Sequence, residues 1–194
     1  MKKKVYVSLS ADILHSGHIN ILKKASKLGD VIVGLLSDEA IAEYKKIPTL
    51  NYNQRKIVVE SLNMVKSVIP QYVKDYRPNL IKLKPDYVVH GDDWKRGILK
   101  ESREQVIKEL KKWSGKLIEL KYTKNISSTK IKKDILSKVS LKHNRISSLK
   151  RLIQSKKLVR VIEAHSPLVG LIIEKLKLTK KNKNEIFDAM WSSS

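Results

Sequence analysis

The sequence contains no cysteine, which excludes a disulfide framework, a thiolate metal site and a catalytic cysteine. Its five histidines are scattered along the chain, so we predict no metal cluster built from histidines alone. No apolar run approaches the roughly 20 residues of a membrane span, and the run near the amino terminus is too short for a signal sequence. We therefore expect a cytoplasmic protein without membrane insertion.

Acidic residues are also scarce. Lys and Arg number 41 against 19 Asp and Glu, and the difference, 41 − 19, gives a net charge of +22. Such a charge attracts nucleic acids, anionic lipids and nucleotides. The excess is nearly all Lys, spread evenly as KK and KxK pairs, whereas specific nucleic-acid readers gather Arg and aromatic residues on one surface. We favour a Lys-rich solvated surface and expect no specific nucleic-acid partner; a basic nucleic-acid-binding module without catalysis is the alternative.

Short apolar runs rich in Val and Ile alternate with segments whose apolar residues have helical spacing. The runs predict strands at 5–9, 31–36, 64–69, 87–90 and 117–120. The helical segments are 19–28, 38–44, 53–62, 101–113 and 128–138. A βαβα order of this kind is typical of an α/β fold with a doubly wound parallel sheet and helices on both faces.

The character of the chain changes near residue 141. We predict one domain over 1–140, a polar linker over 141–148, and a short α/β extension over 149–194. Within the extension, 168–176 reads as a helix and 187–191 as a strand that lacks a partner.

Ligands of doubly wound sheets bind beyond the carboxyl ends of the strands, which selects Ser10 to His18, Asp38 and Gly91 to Trp94. His15, Gly17 and His18 form an HxGH loop before the first helix, where free N–H groups and a partial positive charge favour phosphate. Two histidines there could stabilise the extra charge of a pentacovalent phosphorus. Surface histidines that cap a helix are the structural alternative.

Three further groups lie near predicted strand ends. Ile126, Ser127, Ser128 and Thr129 open the last helix of the domain, as an N-cap, a phosphate cradle, or both. Asp92 and Asp93 could hydrogen-bond a base amine with the ring of Trp94 packed nearby, bind Mg²⁺, or start a turn. Lys45, Lys46 and Arg55 could neutralise phosphates.

Over residues 4–138 these elements, in this order, resemble the cytidylyltransferases of the HxGH nucleotidyltransferase superfamily, particularly those for glycerol 3-phosphate and ethanolamine phosphate. The resemblance implies a Rossmann-like fold, a homodimer, and in-line attack of an acceptor oxygen on the α-phosphorus of Mg²⁺-bound CTP. It implies that His15, His18 and Lys45 are catalytic. We assign to nucleotide binding Ser10, Ala11, Asp12, Gly17, Asp92, Asp93, Trp94, Ile126, Ser127, Ser128 and Thr129, of which Asp12, Asp92 to Trp94 and Ser127 to Thr129 match motifs of the family. We assign to acceptor binding Asp38, Lys46, Arg55 and Tyr122, from their positions near predicted strand ends.

The chain departs from this pattern on the acceptor side. Leu9, Ser10 and Ala11 replace the Gly-Thr-Phe that precedes Asp12, and Asn63 and Lys66 replace an Arg and an Asp of the glycerol-3-phosphate enzymes. Tyr122 lies in the region where those enzymes carry another Arg. These differences favour an acceptor other than glycerol 3-phosphate.

The tail suggests such an acceptor. The segments VRVIEAH (159–165) and FDAMWSS (187–193) resemble the first portion of phosphoenolpyruvate mutase. We interpret 149–194 as a truncated start of that domain, without mutase activity because the barrel needs about 250 residues. The resemblance implies CMP transfer to a phosphonate such as 2-aminoethylphosphonate, for cell-surface glycan or lipid synthesis. The alternatives are glycerol 3-phosphate, phosphoethanolamine or phosphocholine as acceptor, ATP as nucleotide, and, for the tail, an unrelated dimerisation extension.

Overall fold

The computed structural model describes residues 2–95, 100–121, 123, 126–138, 144–176, 178–180, 183–185 and 187–192, with the side chains at 93, 136–138, 144–148, 178–180 and 183–185 left out. The chain divides into two compact units, Met1–Leu141 and Lys142–Ser194. No helix in the described ranges is long and apolar enough to cross a membrane.

The first unit is built on a five-stranded parallel sheet. The strands are β1 (Lys4–Leu9), β2 (Asp30–Leu36), β3 (Ser67–Gln71), β4 (Tyr87–Gly91) and β5 (Lys116–Leu120), in the spatial order β3-β2-β1-β4-β5. The order reverses at β1, which is the mark of a doubly wound sheet. The predicted fold class is confirmed.

Six helices connect or follow these strands in the described part of the unit. They are α1 (Ser16–Ser26), α2 (Asp38–Ala42), α3 (Tyr52–Glu60), α4 (Arg77–Leu83), α5 (Lys100–Leu110) and α6 (Ser128–Lys138). The caps are readable in the sequence: Ser37 accepts from Ala40 N–H at the start of α2, and Asn51 forms a capping box with Gln54 at the start of α3. Helix α4 is not among the predicted helices, because it is short and has Pro78 in its first turn.

The third strand begins three residues later than predicted and includes Pro70. Proline cannot donate a ladder hydrogen bond, but β3 lies at the edge of the sheet, where one side needs no donor.

The two sheet faces carry separate apolar cores. Val5, Val7 and Leu9 of β1 pack with Leu22 of α1 and Val59 of α3. On the opposite face, a second core lies under α4 and α5; it consists of Tyr6, Tyr76, Leu80, Val88, Trp94, Val106 and Leu110. Side chains therefore alternate along β1 between the two faces, as a buried parallel strand requires.

The second unit contains α7 (Asn144–Ser155), β6 (Val161–Ala164), α8 (Pro167–Lys175), β7 (Leu178–Lys180), β8 (Lys183–Glu185) and β9 (Ala189–Ser192). Helix α7 begins inside the stretch 141–148 for which the sequence predicts a linker. The prediction of a final strand without a partner is wrong, because β9 pairs in parallel with β6. The buried Asp188 carboxylate fixes the approach to this pair: it accepts from Lys156 Nζ at 2.6 Å and from Arg160 N–H at 2.9 Å.

Candidate active site at the carboxyl end of the sheet

The two histidines of the HxGH loop cap helix α1 together. His15 is the N-cap residue, and its Nδ1 accepts from Gly17 N–H at 3.2 Å. His18, three residues on, accepts from His15 N–H through its own Nδ1 at 3.4 Å. A Cβ on Gly17 would lie 3.0 Å from the His15 ring, so any larger residue there would push the ring away from the helix start. The capping alternative and the catalytic prediction thus describe one arrangement.

This cap fixes where the imidazole protons lie. A neutral histidine whose Nδ1 accepts a hydrogen bond carries its proton on Nε2. His15 and His18 therefore each present an Nε2–H donor, and their ring centroids are only 3.9 Å apart. Helix α1 has no acidic residue in its first turn, so its amino-terminal partial charge is uncompensated. The pair is suited to donate hydrogen bonds to an anion.

Both rings are held in the neutral form. Burial lowers the pKa of His15, and it lowers the pKa of His18 further, to about 4, with smaller contributions from the charges of His15 and Lys45. Two neighbouring imidazolium ions would repel each other in this partly desolvated loop.

We expect the His18 ring to titrate near pH 4 in the ligand-free protein, well below its ordinary value of 6.5. Because the folded state disfavours the cation, the stability that neutral His18 contributes is present above pH 6.5 and is lost as the pH falls from 6.5 toward 4. NMR titration of the imidazole resonances measures this directly. Replacing Lys45 with Gln should raise the midpoint, since it removes one of the nearby positive charges; a midpoint at 6.5 in the parent protein would contradict the buried, neutral pair.

Asp12 shapes the loop that precedes the histidines. Its carboxylate is buried, accepting from Thr49 N–H at 2.5 Å and forming an ion pair with Lys132 of α6. Ala11 beside it has φ 47°, a left-handed conformation that is costly for a residue with a Cβ. Both carboxylate oxygens thus contact protein groups, so Asp12 acts on the loop conformation, and its predicted contact with nucleotide stays a prediction.

Arg55, predicted to bind the acceptor, is enclosed in the protein. Its guanidinium donates to Ser10 O at 2.6 Å, to Leu50 O at 3.2 Å and to Asp38 Oδ1 at 2.6 Å, and the side chain is 0% exposed. The ion pair of Arg55 and Asp38 thus joins α3 and α2 to the loop at Ser10, and the predicted contact of these two residues with the acceptor stays a prediction. The sequence gives no signal for this, because an Arg in an amphipathic helix normally faces solvent.

Trp94 is also enclosed in the protein. The residues 92–95 form a short 3-10 turn after β4, and the Trp94 ring is fully buried in the second core. His90 stacks on it at 3.9 Å, and its indole N–H donates to Glu119 Oε1 at 2.9 Å. Trp94 therefore offers no face to a base in this structure. It supports the turn that carries Asp92 and Asp93 at the sheet edge; the side chain of Asp93 lies outside the described part.

The remaining predicted residues divide into three groups. Lys45 lies close enough to His18 for its charge to lower the pKa of that ring, and Lys46 beside it is exposed. Ser127 and Ser128 start α6: Ser127 Oγ accepts from Lys130 N–H at 3.1 Å, and Ser128 Oγ donates to Ile13 O at 3.0 Å. Ile126 and Thr129 flank them; Ile126 is half-buried and Thr129 is exposed. Tyr122 lies outside the described residues.

One residue near this edge was not singled out from the sequence. Ser8 of β1 is buried, and its hydroxyl has no hydrogen-bond partner among the described residues. It lies on the same sheet face as Tyr6, two residues further along β1. Burial of a hydroxyl without a protein partner costs free energy.

We expect Ser8→Ala to raise the free energy of unfolding by about 1 kcal/mol, because it removes a desolvated hydroxyl that bonds to nothing. Urea denaturation measures the change. Ser37→Ala is the matched control: that equally buried hydroxyl caps α2, so its loss should destabilise the protein by about 1 kcal/mol. A destabilised Ser8→Ala protein would mean that the hydroxyl is paired.

Comparison with known proteins agrees with this geometry. Residues 10–134 match the model of the cytidylyltransferase-like family, a segment that contains the HxGH loop and the start of α6. The chain belongs to this family. It is a nucleotidyltransferase of the cytidylyltransferase type.

Individual relatives match about two thirds of the chain. The chain is 36% identical over 141 residues to the glycerol-3-phosphate cytidylyltransferase of Bacillus spizizenii, covering 70% of this chain and 98% of the relative. It is 32% identical to the ethanolamine-phosphate cytidylyltransferase of Arabidopsis thaliana, over 66% of this chain and 31% of that protein. Among solved structures, a lipopolysaccharide core biosynthesis protein of Thermoplasma volcanium superposes with a TM-score of 0.56 at 26% identity, over 63% of this chain and 99% of that one.

Proposed function

We propose that this cytidylyltransferase transfers CMP from CTP to a small acceptor through an anionic phosphate oxygen, with release of pyrophosphate. The observation that carries the proposal is the pair of neutral histidines at the start of α1, whose Nδ1 atoms are both occupied by backbone N–H groups. This leaves two Nε2–H donors beside an uncompensated helix amino terminus. Such a site binds a phosphate without needing to be protonated first.

In the reaction the acceptor oxygen attacks the α-phosphorus of CTP in line with the bond to the β-phosphate. One O–P bond forms, the bond from the α-phosphorus to the bridging oxygen breaks, and the electron pair leaves with pyrophosphate. Negative charge grows on the non-bridging α-oxygens, where His15 and His18 would donate hydrogen bonds, with Lys45 contributing positive charge. No covalent enzyme intermediate is needed.

We assign the triphosphate to the first turns of α1 and α6, which the contact of Ser128 with Ile13 joins. Like α1, α6 has no acidic residue in its first turn. Ser128 Oγ holds the loop carbonyl of Ile13, so we assign the α6 contribution to backbone N–H groups and Thr129 rather than to the Ser128 hydroxyl.

We propose Mg²⁺ as the metal that accompanies CTP. Among the described residues, no group of three or more His, Asp or Glu side chains is placed to hold an ion. Mg²⁺ commonly keeps several waters and binds through substrate phosphates with few protein ligands, which fits this site. The ion would supply charge neutralisation on the phosphates, while the side chains of this chain orient the nucleotide.

A phosphate ester is the acceptor class that the relatives favour. Those similar over nearly their whole length act, by name, on glycerol 3-phosphate, and a more distant one on ethanolamine phosphate. The exposed Lys46 beside Lys45 suits the charge of such an acceptor.

A phosphonate is the second candidate. It is favoured by Asn63 and Lys66, which replace an Arg and an Asp typical of the glycerol-3-phosphate enzymes, and by the mutase-like segments 159–165 and 187–193. In the structure these segments contribute β6 and β9, a parallel pair whose connection contains α8 and the antiparallel hairpin β7–β8. Parallel strands joined through a helix also occur in α/β barrels, although the hairpin is an addition to that repeat.

The deciding experiment is pyrophosphate release by the purified chain with Mg²⁺ and CTP. Glycerol 3-phosphate, phosphoethanolamine, phosphocholine and 2-aminoethylphosphonate are compared by kcat/KM. Preference for one of the esters supports the first candidate, and preference for the phosphonate supports the second. Release with none of the four, although CTP binds, would contradict both acceptor classes.

A further inference from the structure

Two contacts join the HxGH lead-in loop to helix α6. Asp12 Oδ2 forms an ion pair with Lys132 Nζ, and Ile13 O accepts from Ser128 Oγ at 3.0 Å. These residues are separated by more than 110 positions in the chain, so the contacts fix two distant segments against each other. We call the four residues Asp12, Ile13, Ser128 and Lys132 the loop–helix clamp.

The ion pair of the clamp is shielded from solvent. The Asp12 side chain is 11% exposed and that of Lys132 is 27% exposed. Attraction between charges in such a place is stronger than at a surface, and a carboxylate left there without its cation carries a large desolvation penalty.

The negative charge of Asp12 lies where it would oppose binding of the nucleotide in the proposed reaction. It lies three residues before His15, in a loop otherwise arranged for anions, and an uncompensated carboxylate there would repel a triphosphate. Lys132 forms an ion pair with the Asp12 carboxylate. Of the other cations assigned to this site, Lys46 is exposed, and Arg55 donates its hydrogen bonds to Ser10, Leu50 and Asp38.

We propose that Lys132 is a positioning residue of the active site: by pairing with Asp12 it neutralises the carboxylate beneath the phosphate loop and holds the start of α6 at a fixed distance from the histidines. It acts through Asp12 and does not itself contact the phosphates. The inference rests on the proposed binding of CTP between α1 and α6.

Calorimetric titration of the full chain with CTP and Mg²⁺, without acceptor, tests this. Lys132→Met leaves Asp12 unpaired, and we expect the Kd for CTP to rise about tenfold or more. Lys132→Arg keeps the charge and should bind CTP within about threefold of the parent. Lys133→Met removes the same charge from an exposed neighbour in α6 and is expected to change Kd by less than about twofold.

A double-mutant cycle separates positioning from direct contact. Asp12→Asn removes the charge, while its Oδ1 can still accept from Thr49 N–H. In that background Lys132→Met has no carboxylate to expose, so we expect a further change in Kd of less than about threefold. If Lys132 contacts phosphate directly, the full effect persists in the Asp12→Asn protein, and the inference is overturned. Melting temperatures of the four proteins show whether Kd simply follows stability, which would also overturn it.

Failure of the inference is distinguishable from failure of the proposed function. If the parent chain does not bind CTP, the proposed function fails. If the parent binds CTP and Lys132→Met binds it equally well, only the role of Lys132 fails.

Discussion

His18→Ala is expected to lower kcat for pyrophosphate release by about 10²- to 10³-fold, the usual cost of removing one hydrogen-bond donor from a developing oxyanion. The ring is neutral and its Nδ1 is held by His15 N–H, so its Nε2–H is a fixed donor that needs no reorganisation during the reaction. Alanine removes that donor and also one half of the reciprocal cap. Initial rates at saturating CTP and acceptor measure the change.

Two controls separate chemistry from folding. The circular dichroism spectrum of His18→Ala should match that of the parent, because the cap lost is one long hydrogen bond of 3.4 Å and helix α1 still packs through Leu22 and Ala25. His165→Ala makes the same substitution in the second unit, in the turn between β6 and α8, and should leave the rate unchanged. Activity in His18→Ala comparable to the parent would refute the assignment of the HxGH loop. Salt-dependent DNA binding unaffected by the substitution would favour the nucleic-acid alternative.

The fold was predictable because its signals are local. Val- and Ile-rich runs separated by helical periodicity mark all five strands of the sheet, and α6 begins and ends where the sequence predicts. Ligands bind beyond the carboxyl ends of parallel strands, and this rule predicts that three separate segments lie at that end of the sheet: the HxGH loop, the turn at Asp92, and the start of α6. Where local signals are weak, as in the short α4, prediction failed.

The sequence alone did not distinguish residues that contact a ligand from residues that support the site. The sequence assigns three residues to ligand binding whose polar groups instead bond to other parts of the protein, namely Arg55, Asp12 and Trp94. A sequence motif indicates that a residue is needed. It does not indicate whether that residue contacts the ligand or supports the residues that do. The difference depends on burial and on partners distant in sequence, such as Ser10 for Arg55, and these emerge only when the chain is folded.

Arg55→Met is expected to lower the free energy of unfolding by about 3–5 kcal/mol, the range for breaking a buried ion pair by removing one partner. Methionine approximates the length of the side chain but supplies none of its donors. Asp38 Oδ1 and the carbonyls of Ser10 and Leu50 would then lose their partner. Arg55→Lys should lose less, because the charge remains while one ammonium cannot serve three acceptors in a fixed fork. Urea denaturation gives both values.

Arg77→Met is the matched control, since Arg77 also pairs with an aspartate, Asp75, at 2.6 Å, but at the surface, with side chains 49% and 30% exposed. Exposed pairs of this kind contribute only about 0–1 kcal/mol. A loss at Arg55 no larger than at Arg77 would mean that the guanidinium is solvated and available to a ligand, as the sequence suggested. A large loss, accompanied by weaker CTP binding in the protein that remains folded, is expected if α3 holds the nucleotide loop through the Ser10 carbonyl.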